Sequence, residues 1–178
     1  MKDAEMKNAL AGFIIGTLVT LALIALGGYI AIVNGWIPAR GDEPPGTLET
    51  WAARHSLKAT LEREGTAKSP ISGDEADLMA GAKVYASNCA SCHGTPVNEV
   101  PTFARGLNPE PTLFGNGDFV TDDPEGSIHW KAQHGIKFTG MPSFSKSLSD
   151  KEIWQVTAFL KKMDKLPAPV DSYWKSMK

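Results

Sequence analysis

The stretch "NCASCHGT", residues 88–95, holds both cysteines of a chain of 178 residues, with His93 directly after the second. Three chemistries use a C-x-x-C spacing: a redox dithiol, half of a zinc site, and covalent attachment of haem. A redox dithiol belongs at a helix start beside a βαβ pattern, where the helix N-terminus depresses a thiol pKa. Here the motif follows a helical stretch and no strand pattern precedes it. Zinc needs four ligands at characteristic spacings, and His129 with His134 does form an H-x4-H pair. Zinc leaves unexplained, however, why a histidine adjoins the second cysteine. The C-x-x-C-H run explains it: each thiol adds to a haem vinyl group, and the adjacent imidazole is held beneath the iron.

Outward from the motif the pattern is helical. Ser72 with Glu75 reads as a capping box opening a helix to about Ser87, so the cysteines sit at that helix's C-terminal end. Ser149 with Glu152 opens another, whose Ile153, Val156, Leu160 and Met163 form an apolar stripe ending before Pro167. Between them, Asp123-Pro124 starts a short helix "EGSIHWKAQ" that Gly135 stops. The intervening "PTFARGLNPEPTLFGNGDF" is rich in proline, glycine and asparagine and reads as loop. Three short helices with long loops bury too little alone, so an all-α domain over 72–166 needs a cofactor inside its core.

A six-coordinate haem also needs a distal ligand, and "HGIKFTGMPSF" offers Met141 in a Gly-Met-Pro turn. Met79 and Met163 fall on helices where core packing accounts for them, and Met177 falls in a tail over 167–178. His129 and His134 stand as an alternative, bis-histidine site of lower potential. Trp130, Ile136, Phe138, Phe144 and Leu148 are expected to line or close the pocket.

With Cys89-Ala-Ser-Cys92-His93, Gly81-x-x-x-Tyr85, Gly140-Met141-Pro142 and Val156-x-x-Phe159 in place, residues 72–166 resemble the class I, single-haem c-type cytochromes. The resemblance implies a small helical domain wrapped around one haem c attached through Cys89 and Cys92, with His93 and Met141 on the iron. It implies that the first and last helices of the domain cross, with Gly81 letting Phe159 approach. It also implies that a proline carbonyl in a Pro-x-Leu loop accepts the free imidazole N–H; Pro111 fits, with Pro96, Pro101 and Pro109 as neighbouring competitors.

Ahead of the domain, residues 9–33 carry no charge and would make a helix of roughly 37 Å at ~1.5 Å per residue, enough to cross a bilayer. The apolar run is longer than a signal peptide's, so a retained anchor is expected. Lys2 and Lys7 precede it and only Arg40 follows closely, which puts residues 1–8 in the cytoplasm and the haem domain on the periplasmic side. Haem attachment of this kind takes place outside the cytoplasmic membrane, in agreement. Gly12, Gly16 and Thr20 share one stripe where another helix could approach.

Residues 34–71 read as a linker, with Pro38, Pro44 and Pro45 and an amphipathic helix over 47–64. Its stripe of Leu48, Trp51, Ala52, His55 and Ala59 is expected to lie on the domain or on a partner. A formal net charge of -2 gives no nucleic-acid footprint. The expected function is electron carriage, without bond chemistry of its own, between a redox protein donor and acceptor in a respiratory or photosynthetic chain. Other subunits of a membrane complex are the expected partners. A five-coordinate haem sensor or peroxidase-like protein is the alternative.

Overall fold

The computed structural model describes residues 2–97, 100 and 102–177, with Asp3 by its backbone alone. Pro101 and the terminal residues Met1 and Lys178 lie outside the described residues. Among those described there are helices and no strand. The chain divides into two compact units, residues 1–43 and 44–178.

The first unit is helix α1, Lys2–Val33, whose apolar side chains are exposed along its length. It is long and apolar enough to cross a membrane. Thr17 and Thr20 donate their hydroxyls to the carbonyls of Phe13 and Gly16, which satisfies both groups without a partner helix.

The second unit begins with α2, Thr47–Glu64, and continues through α3, Glu75–Asn88, and the single turn α4, Ala90–His93. After the turn α5, Thr102–Arg105, and a 3₁₀ turn at Phe114–Asn116 come α6, Glu125–His134, α7, Asp150–Lys161, and α8, Ala168–Ser176. The predicted box at Ser149 forms: its hydroxyl accepts from the Glu152 N–H, and the Glu152 carboxylate accepts from the Ser149 N–H at 2.8 Å. The box predicted at Ser72 does not. Asp74 caps α3 instead, accepting from the Asp77 N–H at 3.0 Å, while the Ser72 hydroxyl donates to Asp74 and Asp77. An aspartate is an equally good cap and stands directly before the helix. Gly135 ends α6 with φ 69°, as its position predicts.

Helices α3 and α7 form the centre of the unit and cross at Gly81. A methyl group there would collide with the Gln155 carbonyl and sit 3.0 Å from Phe159 Cβ, so only glycine permits this approach. Around the crossing, Leu78, Tyr85, Val156 and Phe159 are buried.

Residues 168–177 are not a tail: Val170, Trp174 and Met177 of the α8 segment are buried in the same core. Of the two surfaces expected to receive the α2 stripe, the domain does not, for Leu48 is 76% and Trp51 57% exposed. The less exposed residues of α2, Leu57, Thr60 and Leu61, lie on the opposite side of the helix. Both faces carry leucine, and the link to α6 selects between them. An added Cβ on Gly126 would stand 2.5 Å from the carbonyls of Gly65 and Ala67, so the backbone just after α2 lies directly on α6. Glu64 then reaches the Trp130 indole N–H at 3.1 Å.

Candidate functional site

Helix α3 ends at Asn88, and Cys89 caps it while starting the next turn, so the chain bends and α4 brings Cys89, Cys92 and His93 into one short turn. The Cys92 and His93 amides both donate to the Cys89 carbonyl, at 3.0 and 2.9 Å. The thiols are free and half-buried. Burial, with a smaller contribution from Cys92, pushes the Cys89 thiol up to about 12, so it stays protonated at neutral pH.

His93 is held on two sides. Its Nδ1 donates to the Thr112 carbonyl at 2.8 Å, and its ring stacks on Phe114 with centroids 4.8 Å apart and planes 9° from parallel. Because a carbonyl only accepts, this bond fixes the tautomer that leaves the lone pair on Nε2. Burial lowers the imidazole's pKa, against a raising effect of the Thr112 bond, and the neutral form that can ligate a metal is favoured. The acceptor is therefore Thr112, one residue beyond the expected Pro111. Pro111 stands beside it and is half-buried. The loop register that sets which carbonyl faces the ring has no sequence signature.

Met141 lies on the loop between α6 and α7, partly exposed. Its amide N–H donates to the Thr139 hydroxyl oxygen at 3.1 Å, and its carbonyl accepts from the Ile136 N–H at 3.2 Å. Gly135 packs under it, since an added Cβ there would lie 2.7 Å from the Met141 carbonyl oxygen. Gly140 rests on Leu107, whose Cδ2 would be 2.7 Å from an added Cβ. Leu107 opens the loop that carries Thr112, so the His93 and Met141 loops meet there. A cavity of about 330 Å³ opens beside His93, walled by Gly94, Arg105, Leu113 and Asn116 among others, and Met141 is not on its wall.

Trp130 and Phe138, two of the expected pocket residues, each have a protein neighbour. Trp130 is tied to Glu64 of α2 and tilts against His134, 5.0 Å between centroids. Phe138 is 90% exposed, with φ 62° and the Lys137 ammonium 5.3 Å from its ring. Its left-handed backbone turns the side chain outward, a conformation that sequence pattern does not announce for a phenylalanine. His129 is committed too: it stacks on Trp154 at 3.9 Å and its Nε2 faces Asp150 at 3.2 Å.

The donor set fits a covalently bound haem. Two free thiols and an imidazole with a fixed Nε2 lone pair share one turn, and a thioether lies on a loop packed against the His93 acceptor loop. Among the described residues no cluster of three or more His, Cys, Asp or Glu could hold a metal ion, so a zinc site finds no support there.

Residues 76–160 match the family described as cytochrome c oxidase, cbb3-type, subunit III. The chain is 34% identical to cytochrome c6 of Parathermosynechococcus lividus over 85 residues, covering 48% of this chain and 88% of that protein. It is 37% identical over 94 residues to the cytochrome c subunit of a quinone alcohol dehydrogenase from Gluconobacter oxydans, 47% of this chain and 18% of the relative. It is 32% identical over 101 residues to the cbb3-type oxidase subunit FixP of Rhizobium etli, 52% of this chain and 32% of the relative. The chain thus spans only 18% of that dehydrogenase subunit and 32% of FixP. No solved structure matches it. With most of a cytochrome c6 aligned on its all-helical domain, the chain belongs to the c-type cytochromes, the family that carries covalently bound haem c.

Proposed function

We propose that this chain is a membrane-anchored electron carrier with one haem c joined through thioethers at Cys89 and Cys92, and with His93 and Met141 as axial ligands. The observation that carries the reading is the His93 imidazole, locked by the Thr112 carbonyl into the tautomer that offers Nε2, one residue after the second of two free thiols. When bound, the haem supplies a one-electron iron couple. The residues do the rest. Cys89 and Cys92 tether, His93 donates an imidazole nitrogen, and the Thr112 carbonyl raises that ligand's basicity. Met141 contributes a soft sulfur that favours reduced iron and raises the potential. The buried core of α3 and α7 excludes water behind the motif.

Helix α1 serves as the anchor, and its flanking lysines favour a cytoplasmic N-terminus with the haem domain on the periplasmic face. Relatives named as subunits of a cytochrome c oxidase and of a quinone alcohol dehydrogenase support a place beside, or within, an oxidoreductase complex, passing electrons from a donor to an acceptor protein of a respiratory or photosynthetic chain.

Ligation is tested on the full-length protein with carbon monoxide and far-red absorption. The reduced parent is expected to leave carbon monoxide unbound, and its oxidised form to show a thioether-to-iron charge-transfer band. Met141→Ala is expected to keep its covalent haem, lose that band and bind carbon monoxide. A parent that binds carbon monoxide would point to a five-coordinate sensor or peroxidase-like haem instead.

A further inference from the structure

Helix α8 lies beyond residues 76–160, the part matched to the cytochrome family, yet it closes on the turn that carries His93. Pro167 and Pro169 start it, and Val170, Trp174 and Met177, spaced four and three apart, turn inward at 0%, 4% and 5% exposure. The Trp174 indole meets the ring of Tyr85 nearly edge-on, centroids 5.4 Å apart, and that of Phe159 at 5.8 Å. Tyr85 in turn donates its hydroxyl to the Gly94 carbonyl at 2.6 Å, and the Thr95 hydroxyl donates to the Met177 carbonyl at 2.9 Å, both bonds being buried.

Gly94 and Thr95 directly follow His93. Gly94 leaves the helix with φ 74°, in the region that glycine alone enters freely, so helical hydrogen bonding cannot direct the chain past it. Its direction is set from outside, by Tyr85 of α3 on one residue and by the end of α8 on the next. The opposite side is equally close, for an added Cβ on Gly115 would stand 2.7 Å from the Thr95 carbonyl carbon. Gly115 follows Phe114, on which the His93 ring stacks.

We propose that α8 is a latch on the proximal turn. Thr95 and Trp174 are positioning residues that hold the Gly94–Thr95 backbone and so fix the plane in which the His93 imidazole presents Nε2 to the iron. Groups that orient a ligand tune the metal it binds, which gives this C-terminal segment a part in setting the iron's electronic state. The inference rests on the reading of His93 as an axial ligand.

The test uses the oxidised, full-length holoprotein in detergent, followed by proton NMR for hyperfine-shifted His93 ring resonances and by amide hydrogen exchange. Thr95→Val keeps the shape and removes the donor, leaving the Met177 carbonyl unpaired. It is expected to move the His93 ring resonances and to speed amide exchange at Gly94 and Met177 about tenfold or more. Thr95→Ser is expected to restore both. Unmoved His93 resonances in Thr95→Val would overturn the latch, whatever happens to the melting temperature. Should Thr95→Val yield no holoprotein, Trp174→Phe decides by the same criterion: moved resonances support the latch, and unmoved ones overturn it. A parent without hyperfine-shifted His93 resonances would instead overturn the ligation on which the inference rests, so the two failures are distinct.

Discussion

Cys89 and His93 sit four residues apart, and burial acts on them in opposite senses. It raises the thiol and lowers the imidazole, and in both cases the neutral form is favoured. The cysteines and the histidine were plain in the sequence, because a covalent attachment motif is a local pattern. The Thr112 carbonyl was not. It is a backbone group whose role depends on where a loop rich in proline and glycine settles, and the expectation fell one residue short, on Pro111.

Elements with strong local signals formed as expected. The Ser149 box and the Gly135 stop each follow from chemistry written within a few residues, whereas the α3–α7 crossing at Gly81 is the one the family resemblance implies. At that crossing, Gly81→Ala drives a methyl group into the Gln155 backbone, and overpacking of this kind costs about 1–3 kcal/mol or more. Thermal unfolding of the holoprotein is expected to register it, and an unchanged midpoint would show that the helices can separate without loss. The orientation of α2 was not legible, because leucines occur on both of its sides and only the contact of Gly65 and Ala67 with Gly126 chooses between them. That contact has a consequence for dissection of the chain. A protein starting at Pro44 is expected to retain its haem spectrum and stability. One starting at Ser69 loses α2, the Glu64–Trp130 bond and the backbone packed on Gly126, and is expected to melt lower. Equal melting of the two would show that α2 merely accompanies the domain.

In the whole molecule, one compact unit over residues 1–43 carries the exposed apolar helix and the other, over 44–178, takes in part of the stretch expected to be linker as well as the helical cytochrome domain. The role of α8 escaped that reading. Its i, i+4, i+7 pattern of Val170, Trp174 and Met177 is visible afterwards, but nothing in a nine-residue periodicity says that it completes the core around Tyr85 and Phe159. The account as a whole depends on one covalent haem at Cys89 and Cys92. Mass spectrometry of the denatured chain from native membranes tests this most directly. The account predicts a polypeptide heavier than its sequence by one haem, with the added mass on the fragment spanning residues 88–95. A bare polypeptide mass, with haem extracted by acid–acetone, would contradict it.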